Sequence, residues 1–333
     1  MVPAGQLSDR SFAWQGAAGL AMRRAPVLSF TQPAIGRNEC ALDSPGWRAA
    51  ADSSAAAPAS ASHTLGIRQM VSAPQDDTPI VTTNVNLQCH RDYHDEVARA
   101  LTAIGNPELG EAIRKDRGSE LEHLGIRFPE LRKRVKQGFS FYDLPADGVL
   151  EVWDTLWRSS PYGDVLFAAL EYYAPIVRKR VSPGLWPVVR HWSGRVDNWC
   201  HSDLLSGLYS WVLERYPDEV FPQIHLWNAA ESEWPRRISI VSLVHYSGRN
   251  AVFLPPDKVL PLVSNCLGDA RHFVQTAVGW VLREMGQVYP DEVAGYLETH
   301  ASAMSAPAFS RAIERRSPDS RARLREVRKA ALA

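Results

Sequence analysis

The sequence predicts an all-α protein made of repeated helical pairs. From His94 onward, apolar residues recur every three or four positions, and short breaks rich in Pro, Gly or Asp separate the amphipathic segments. No stretch alternates apolar and polar residues for long enough to require a strand. One five-residue phrase also occurs twice at a spacing typical of helical repeats.

The helical segments follow one another along the chain. Asp147 is predicted to cap a helix that covers residues 149–157, and either Asp197 or Asn198 is predicted to cap the helix that begins near Trp199. The same periodicity marks residues 203–216, 235–246, 270–285 and 291–300.

The repeated phrase is Tyr-Pro-Asp-Glu-Val, which begins at Tyr216 and again at Tyr289, 73 residues later. Helical pairs of the HEAT type repeat at about 40 residues, so the spacing fits two units. Such pairs bury their apolar faces only by stacking on neighbours, which predicts a HEAT-like or armadillo-type helical-repeat solenoid, an α-α superhelix with a concave face. The alternative is chance recurrence of a common helix-turn-helix phrase.

Residues 1–86 differ from the rest in composition. Ala, Ser, Pro and Gly dominate, and residues 51–62 are of low complexity. We therefore predict a disordered extension over residues 1–86 and a helical-repeat domain over residues 87–333.

Bulk composition excludes several classes of protein. Lys plus Arg and Asp plus Glu both number 37, so a histone-like binder that depends on net charge is excluded. The four cysteines lie far apart without a CxxC pair, which is typical of free thiols in a reducing compartment. With no membrane span and no secretory signal in the sequence, we expect a cytoplasmic protein that associates with the nucleoid when it acts on DNA.

Four residues suggest a site. Trp199 and Asp203 are four residues apart, so a helix places them on one face. Arg237 follows Asp203 by 34 residues and Trp280 follows Arg237 by 43, which is close to one repeat each. A regular stack would bring all four side chains to one face. Taken singly, each has an ordinary explanation: the tryptophans as core residues, Asp203 as a surface charge and Arg237 as its ion-pair partner.

Three segments carry a resemblance to a known family: residues 196–203, 234–240 and 273–284. Together with residues 124–132, they resemble the DNA alkylation repair family of HEAT-like-repeat glycosylases, the AlkD type, over about residues 98–316. The resemblance implies that Asp203 is the catalytic aspartate, that Trp199 and Trp280 are the site tryptophans, and that Arg237 lies beside the DNA backbone at the lesion. The departures are the N-terminal extension and the pair Cys200-His201 inside the first segment.

The residue types suit the removal of a cationic base. A purine alkylated at N3 or N7 leaves as a neutral base, so the general acid of most glycosidic cleavages is dispensable. A carboxylate and indole rings stabilise the positive charge that develops on the sugar, and the carboxylate can orient the attacking water. The sequence shows no second acid placed to assist a neutral leaving group.

The expected partner is double-stranded DNA with alkylated bases, and affinity must come from its phosphates. The candidate DNA contacts are basic residues around the motifs: Arg236, Arg237, Arg271, Arg283, Arg127, Arg132 and Lys133. Residues 311–333 hold eight basic and three acidic residues, which fits DNA contact or a solvated final helix equally well. We expect a monomer without an obligate protein partner.

No cofactor or metal is indicated. The sequence has neither a GxGxxG motif nor a P-loop, and Cys89, His90 and His94 lack a companion pair at a usual zinc spacing. The predicted function is a monofunctional alkylpurine DNA N-glycosylase. The alternatives are a non-catalytic binder of damaged or branched DNA and a protein-binding scaffold, both on the same helical repeat.

Overall fold

The computed structural model describes residues 87–244 and 254–333, with side chains from His90 onward. Within these ranges the chain forms fourteen α-helices and two short 3-10 helices, and the only β-type pairing is an isolated bridge between Glu122 and Tyr162. The helices are α1 (Leu87–Thr102), α2 (Pro107–Arg117), α3 (Phe128–Gln137), α4 (Ala146–Ser159), α5 (Gly163–Val177), α6 (Leu185–Val189), α7 (Trp199–Arg215), α8 (Pro217–Asn228), α9 (Glu233–Val241), α10 (Pro256–Ser264), α11 (His272–Val288), α12 (Pro290–His300), α13 (Ala306–Ala312) and α14 (Pro318–Leu332). The all-α prediction is confirmed.

Alternate helices form a continuous row. In order, α3, α5, α7, α9, α11 and α13 each pack on the next member, and we call this set the inner row. The helices between them in sequence pack against the row: α8 lies against α7 and α9, and α10 against α9 and α11. Helices α7, α9 and α11 thus each meet both a neighbouring helix outside the row and the next helix of the row, as a helical-repeat fold requires.

The repeated phrase marks equivalent positions in two repeats. Tyr216 ends α7 with φ −132° and ψ 62°, and Tyr289 ends α11 with φ −123° and ψ 66°. Both preceding helices have 17 residues, and both following helices begin with the proline at N1. Proline suits N1 because that position needs no hydrogen-bond donor. The pair α9–α10 lies between them, so the 73-residue spacing spans two repeats, as the sequence predicts.

Aromatic side chains fill the core around α4 and α5. Trp157 and Trp192 stack with ring centroids 4.5 Å apart, and the indole nitrogen of Trp157 donates to the Trp192 carbonyl oxygen. Trp192 in turn donates to Asp154, which satisfies its buried N–H. Trp153 is also fully buried. These tryptophans are structural, as most were expected to be.

Two sequence-based expectations are wrong in detail. Asp147 lies inside the first turn of α4, whose N-cap is Pro145, so the predicted cap is wrong by two residues. Cys266 is a free buried thiol, but Cys200 is disulfide-bonded, so the expectation of free thiols is wrong for Cys200. Cysteines far apart in sequence can pair whenever the fold brings their Cα atoms within about 7 Å.

The predictions for residues 1–86 lie outside the described residues. None of the described helices combines the length and apolar character that a membrane span requires.

Helices α11 and α13 are in close contact at Gly279. A Cβ atom added there would lie 2.5 Å from the Ala308 carbonyl oxygen and 2.9 Å from the Cβ of Arg311. Because real Cβ atoms do not make such contacts with backbone, only glycine allows this separation of the two helices. The position immediately precedes Trp280, so the close approach determines where α13 lies beside the candidate site.

Gly279→Ala is therefore expected to lower the free energy of unfolding by about 1–3 kcal/mol through overpacking. Gly295→Ala on α12 is the matched control, because nothing lies within 4 Å of the added Cβ. The control should gain up to about 1 kcal/mol from the higher helix propensity of alanine. Urea unfolding of both variants measures the difference, and equal stabilities would contradict the close packing.

Candidate active site

The N-terminus of α7 is held firmly by polar contacts. Asn198 is the N-cap, and its side-chain oxygen accepts hydrogen bonds from the backbone of Cys200 and His201. One oxygen of Asp197 accepts from Ser119 Oγ at 2.7 Å and from two backbone N–H groups of the following loop residues. Although burial alone raises it, the nearby His201 ring and hydrogen bonds from Ser119 and the Leu121 backbone hold the pKa of Asp197 below its ordinary value. Of the two predicted caps, Asn198 is the actual one.

His201 explains one departure from the family pattern. Its ring is fully buried, with Nε2 3.0 Å from the Gly163 carbonyl oxygen and Nδ1 2.6 Å from the Asn198 side-chain nitrogen. The ring therefore connects the first turn of α7 to the first residue of α5. It points into the core, so the Cys200-His201 pair leaves the face that carries Asp203 undisturbed.

Three consecutive helices of the inner row are joined at the same position. Asp203, Arg237 and Thr276 are each the fifth residue of their helix, in α7, α9 and α11 respectively. Arg237 donates from Nε to Asp203 Oδ1 at 2.8 Å and from Nη2 to Oδ2 at 3.0 Å. Its Nη1 donates to Thr276 Oγ1 at 3.1 Å and to the Phe273 carbonyl oxygen. The repeat spacing thus brings Asp203 and Arg237 together, as the sequence predicts.

The ion pair is mostly buried but remains open on the Asp203 side. The Asp203 side chain is 17% exposed and the Arg237 side chain 5% exposed. Burial raises the pKa of Asp203, and the guanidinium of Arg237 opposes that shift. A carboxylate has about four acceptor positions, and Arg237 occupies two of them. The remaining positions are available to water or to a ligand.

Two of the half-buried tryptophans are those predicted for the site. Trp199 is the first residue of α7, one turn before Asp203, and Trp280 lies one turn after Thr276 on α11. The Arg237 guanidinium lies 5.9 Å from the centroid of the Trp280 ring. Neither indole is sealed in the core, in contrast to Trp153, Trp157 and Trp192. The structure therefore places Asp203, Arg237 and Trp280 together, with Trp199 on the same helix face as Asp203.

Most of the Arg237 guanidinium is committed to partners within the protein. Four hydrogen bonds to protein atoms occupy its guanidinium, which has five N–H donors in all. One N–H, on Nη2, remains for a further ligand. In the structure Arg237 holds the Asp203 carboxylate, which is the ion-pair interpretation that the sequence left open.

Most other predicted DNA contacts are also paired within the protein. Arg132 binds Glu171 with two hydrogen bonds, Arg236 and Arg271 share Asp269, and Arg283 pairs with Glu284 and Glu314. Arg127 and Lys133 are exposed. The predicted basic residues therefore lie on or beside the inner row, but neighbouring acids neutralise most of them.

A second carboxyl group lies near the ion pair. Glu233 begins α9 and precedes Arg237 by one helical turn, so the two share a face. Burial raises the pKa of Glu233, while Arg271 lowers it. No second acid was apparent from the sequence, because one-turn spacing inside a short helix carries no signal about burial.

Sequence reasoning also missed three other neighbours of the site. Thr276 hydrogen-bonds Arg237, and Trp234 on α9 lies against Phe273 with ring centroids 5.1 Å apart. Arg311 on α13 interacts electrostatically with both Asp203 and Arg237. Trp234 lies within residues 234–240, one of the segments that carry the family resemblance, so the sequence could have indicated that it lies near the site. Arg311 was counted only within the basic tail.

Two of the residues considered for a metal, His94 and His90, have other partners, and the side chain of Cys89 lies outside the described part of the structure. His94 Nε2 lies 3.1 Å from Ser160 Oγ, and His90 Nε2 lies 3.9 Å from Glu151. Within the described part of the chain, no group of three or more His, Cys, Asp and Glu side chains is arranged to hold a metal ion.

Comparison with known proteins adds a family assignment. The model of a family described as DNA alkylation repair enzyme matches residues 97–315. Among solved structures, a predicted DNA alkylation repair enzyme from Enterococcus faecalis has a TM-score of 0.54 at 16% identity, covering 64% of this chain and 97% of its own. AlkD2 from Streptococcus mutans has a TM-score of 0.43 at 13% identity, covering 72% of this chain and 97% of its own.

The alkylpurine DNA glycosylase AlkC from Pseudomonas fluorescens, solved with DNA that contains an abasic-site analogue, has a TM-score of 0.44 at 13% identity. That match covers 70% of this chain and 66% of AlkC. No curated protein sequence matches significantly. The Enterococcus structure supports the fold, and the family model spans the inner row from α3 through α13, including Trp199, Asp203, Arg237 and Trp280. On that match, the chain belongs to the DNA alkylation repair enzyme family.

Proposed function

We propose that the protein is a monofunctional DNA glycosylase that removes N3- and N7-alkylated purines from double-stranded DNA. The observation that carries the proposal is the mostly buried but still accessible Asp203 carboxylate, held by Arg237 and accompanied by the half-buried indoles of Trp199 and Trp280. Membership of the DNA alkylation repair enzyme family supports the substrate class.

The proposed chemistry depends on charge. An alkylated purine is already cationic, so breaking the bond between C1′ and the base nitrogen releases a neutral base and moves positive charge to the sugar. A carboxylate in a partly dehydrated site stabilises that charge far better than one in bulk water. The acceptor positions of Asp203 that Arg237 leaves open would face the sugar or the attacking water. Arg237 acts as a positioning residue, because it fixes the orientation of the carboxylate.

The direct test is the release of free base. Purified protein in excess over methylated duplex DNA should release 3-methyladenine or 7-methylguanine, measured by chromatography. DNA containing uracil, a neutral lesion, should release no base, and its release would instead indicate that Glu233 acts as a general acid. Binding to DNA without any base release would favour the non-catalytic DNA binder, and no DNA affinity at low salt would favour a protein-binding scaffold.

The indoles provide a further prediction. Trp280→Ala should slow single-turnover base release by about tenfold, since cation–π attraction contributes about 0.5–2 kcal/mol at such sites. Trp280→Phe should lose less, because it keeps an aromatic face. Trp211→Ala is the matched control, a half-buried tryptophan near the C-terminal end of α7, away from Asp203. Equal rates for Trp280→Ala and the control would contradict a role for Trp280.

A further inference from the structure

The proposed reaction needs a group that holds the DNA backbone beside Asp203, and Arg237 is occupied within the protein. Its guanidinium is 5% exposed and makes four hydrogen bonds to Asp203, Phe273 and Thr276. Arg283 is likewise paired with Glu284 and Glu314. Only one N–H of Arg237 remains for a ligand, so a phosphate contact with two hydrogen bonds near Asp203 requires another cation.

Arg311 lies next to this cluster with its guanidinium uncommitted. It stands on α13, and its Cβ packs against Gly279 of α11, the residue before Trp280. The side chain is half-buried, yet its nitrogen atoms are not among the fully buried ones. In the part of the chain that the structure describes, its guanidinium takes part in no ion pair or hydrogen bond.

The surroundings of Arg311 are unfavourable for an unpaired cation. Burial lowers the pKa of its guanidinium, and the neighbouring Arg283 and Arg237 lower it further. Glu314 and Asp203 act in the opposite direction, but Glu314 is hydrogen-bonded to Arg283 and Asp203 to Arg237. Arginine remains charged at neutral pH even so. The fold thus maintains a cation without a counter-ion one helix away from Trp280.

We propose that Arg311 binds a backbone phosphate of the DNA strand whose damaged nucleotide faces Asp203. This inference rests on the proposed function and assigns its phosphate contact to Arg311 instead of Arg237. Guanidinium groups match phosphate geometry with two parallel hydrogen bonds, and a partly dehydrated arginine binds an anion more strongly than a fully hydrated one. The close contact at Gly279 holds the stem of Arg311 in place for this purpose.

The test compares Arg311→Gln with Arg178→Gln, a charge-matched control at an exposed position after α5. The probe is a duplex oligonucleotide with an abasic-site analogue, titrated at several salt concentrations. Arg311→Gln should weaken binding about tenfold and reduce the slope of log affinity against log salt by about one unit, while the control keeps both values. Arg311→Lys should retain most of the salt slope.

Thermal unfolding separates binding from structure. Because Arg311 has no ion-pair or hydrogen-bond partner among the described residues, Arg311→Gln should melt at the same temperature as the wild type or slightly higher. Unchanged affinity and salt slope in Arg311→Gln would overturn the proposal. A melting temperature so low that the variant is partly unfolded in the binding assay would also overturn it, because the loss of folded protein would then explain the weaker binding. If wild-type protein binds DNA but releases no base, the glycosylase proposal fails while the Arg311 comparison still decides the phosphate contact. If wild-type protein binds no DNA, both proposals fail.

Discussion

Asp203→Asn is expected to slow base release by about 100- to 1,000-fold, the loss typical for removal of one preorganised group that stabilises transition-state charge. The amide keeps the shape of the carboxylate but lacks its negative charge, so it stabilises a positive sugar poorly. Single-turnover release of 3-methyladenine from methylated DNA measures the effect. Binding of undamaged duplex DNA should change little, because Asp203 contributes no phosphate contact.

The control for this variant is another ion pair of the inner row. Glu171 on α5 accepts two hydrogen bonds from Arg132 on α3, at 2.7 and 2.8 Å, and its side chain is 9% exposed. Glu171→Gln therefore removes a comparable charge from a comparable pair, away from the site. It should keep the rate of base release, and a loss as large as that of Asp203→Asn would mean that both variants act only through the fold.

Arg237→Met is expected to lower the free energy of unfolding by about 3 kcal/mol. Methionine replaces the apolar stem but leaves the Asp203 carboxylate without its partner, at 17% side-chain exposure. The Phe273 carbonyl oxygen also loses a donor. Urea unfolding measures the loss, and the double variant Asp203→Asn/Arg237→Met should recover part of it because no unpaired charge remains.

The loss of unfolding free energy in Arg237→Met should increase with pH. Without Arg237, burial raises the pKa of Asp203 further above its unfolded value of about 3.9. A group whose pKa is raised in the folded state favours folding while it is protonated and disfavours it once it ionises. The deficit of Arg237→Met is therefore smallest near about pH 4 and grows as pH rises toward about 7. A deficit independent of pH would contradict the pairing of Asp203 with Arg237.

Local sequence was sufficient for the elements that carry the site. Asn198 caps α7 through its own side chain, and Trp199 and Asp203 share a helix face because they are four residues apart. The Tyr-Pro phrase predicted the repeat because proline at N1 starts the second helix of each pair. Equal spacing then brought Arg237 to the same helical position as Asp203.

Contacts between helices were beyond sequence reasoning. The resemblance implied a DNA backbone contact for Arg237, and nothing in the sequence showed that its guanidinium is also committed to Asp203 and Thr276. The same limit applies to the disulfide of Cys200 and to the acids that pair with Arg132, Arg236 and Arg283. The acids Glu171, Asp269 and Glu314 lie in a different helix or loop from the arginines they bind, at separations that no motif records.

By itself, the sequence determined the all-α repeat, the start of α7 and the face that carries Trp199 and Asp203, because helix periodicity and capping act within a few residues. The tertiary structure alone decided which cation meets which anion. An arginine side chain reaches acids on several neighbouring helices, and only the packing distance, such as that at Gly279, selects one or leaves Arg311 without any among the described residues.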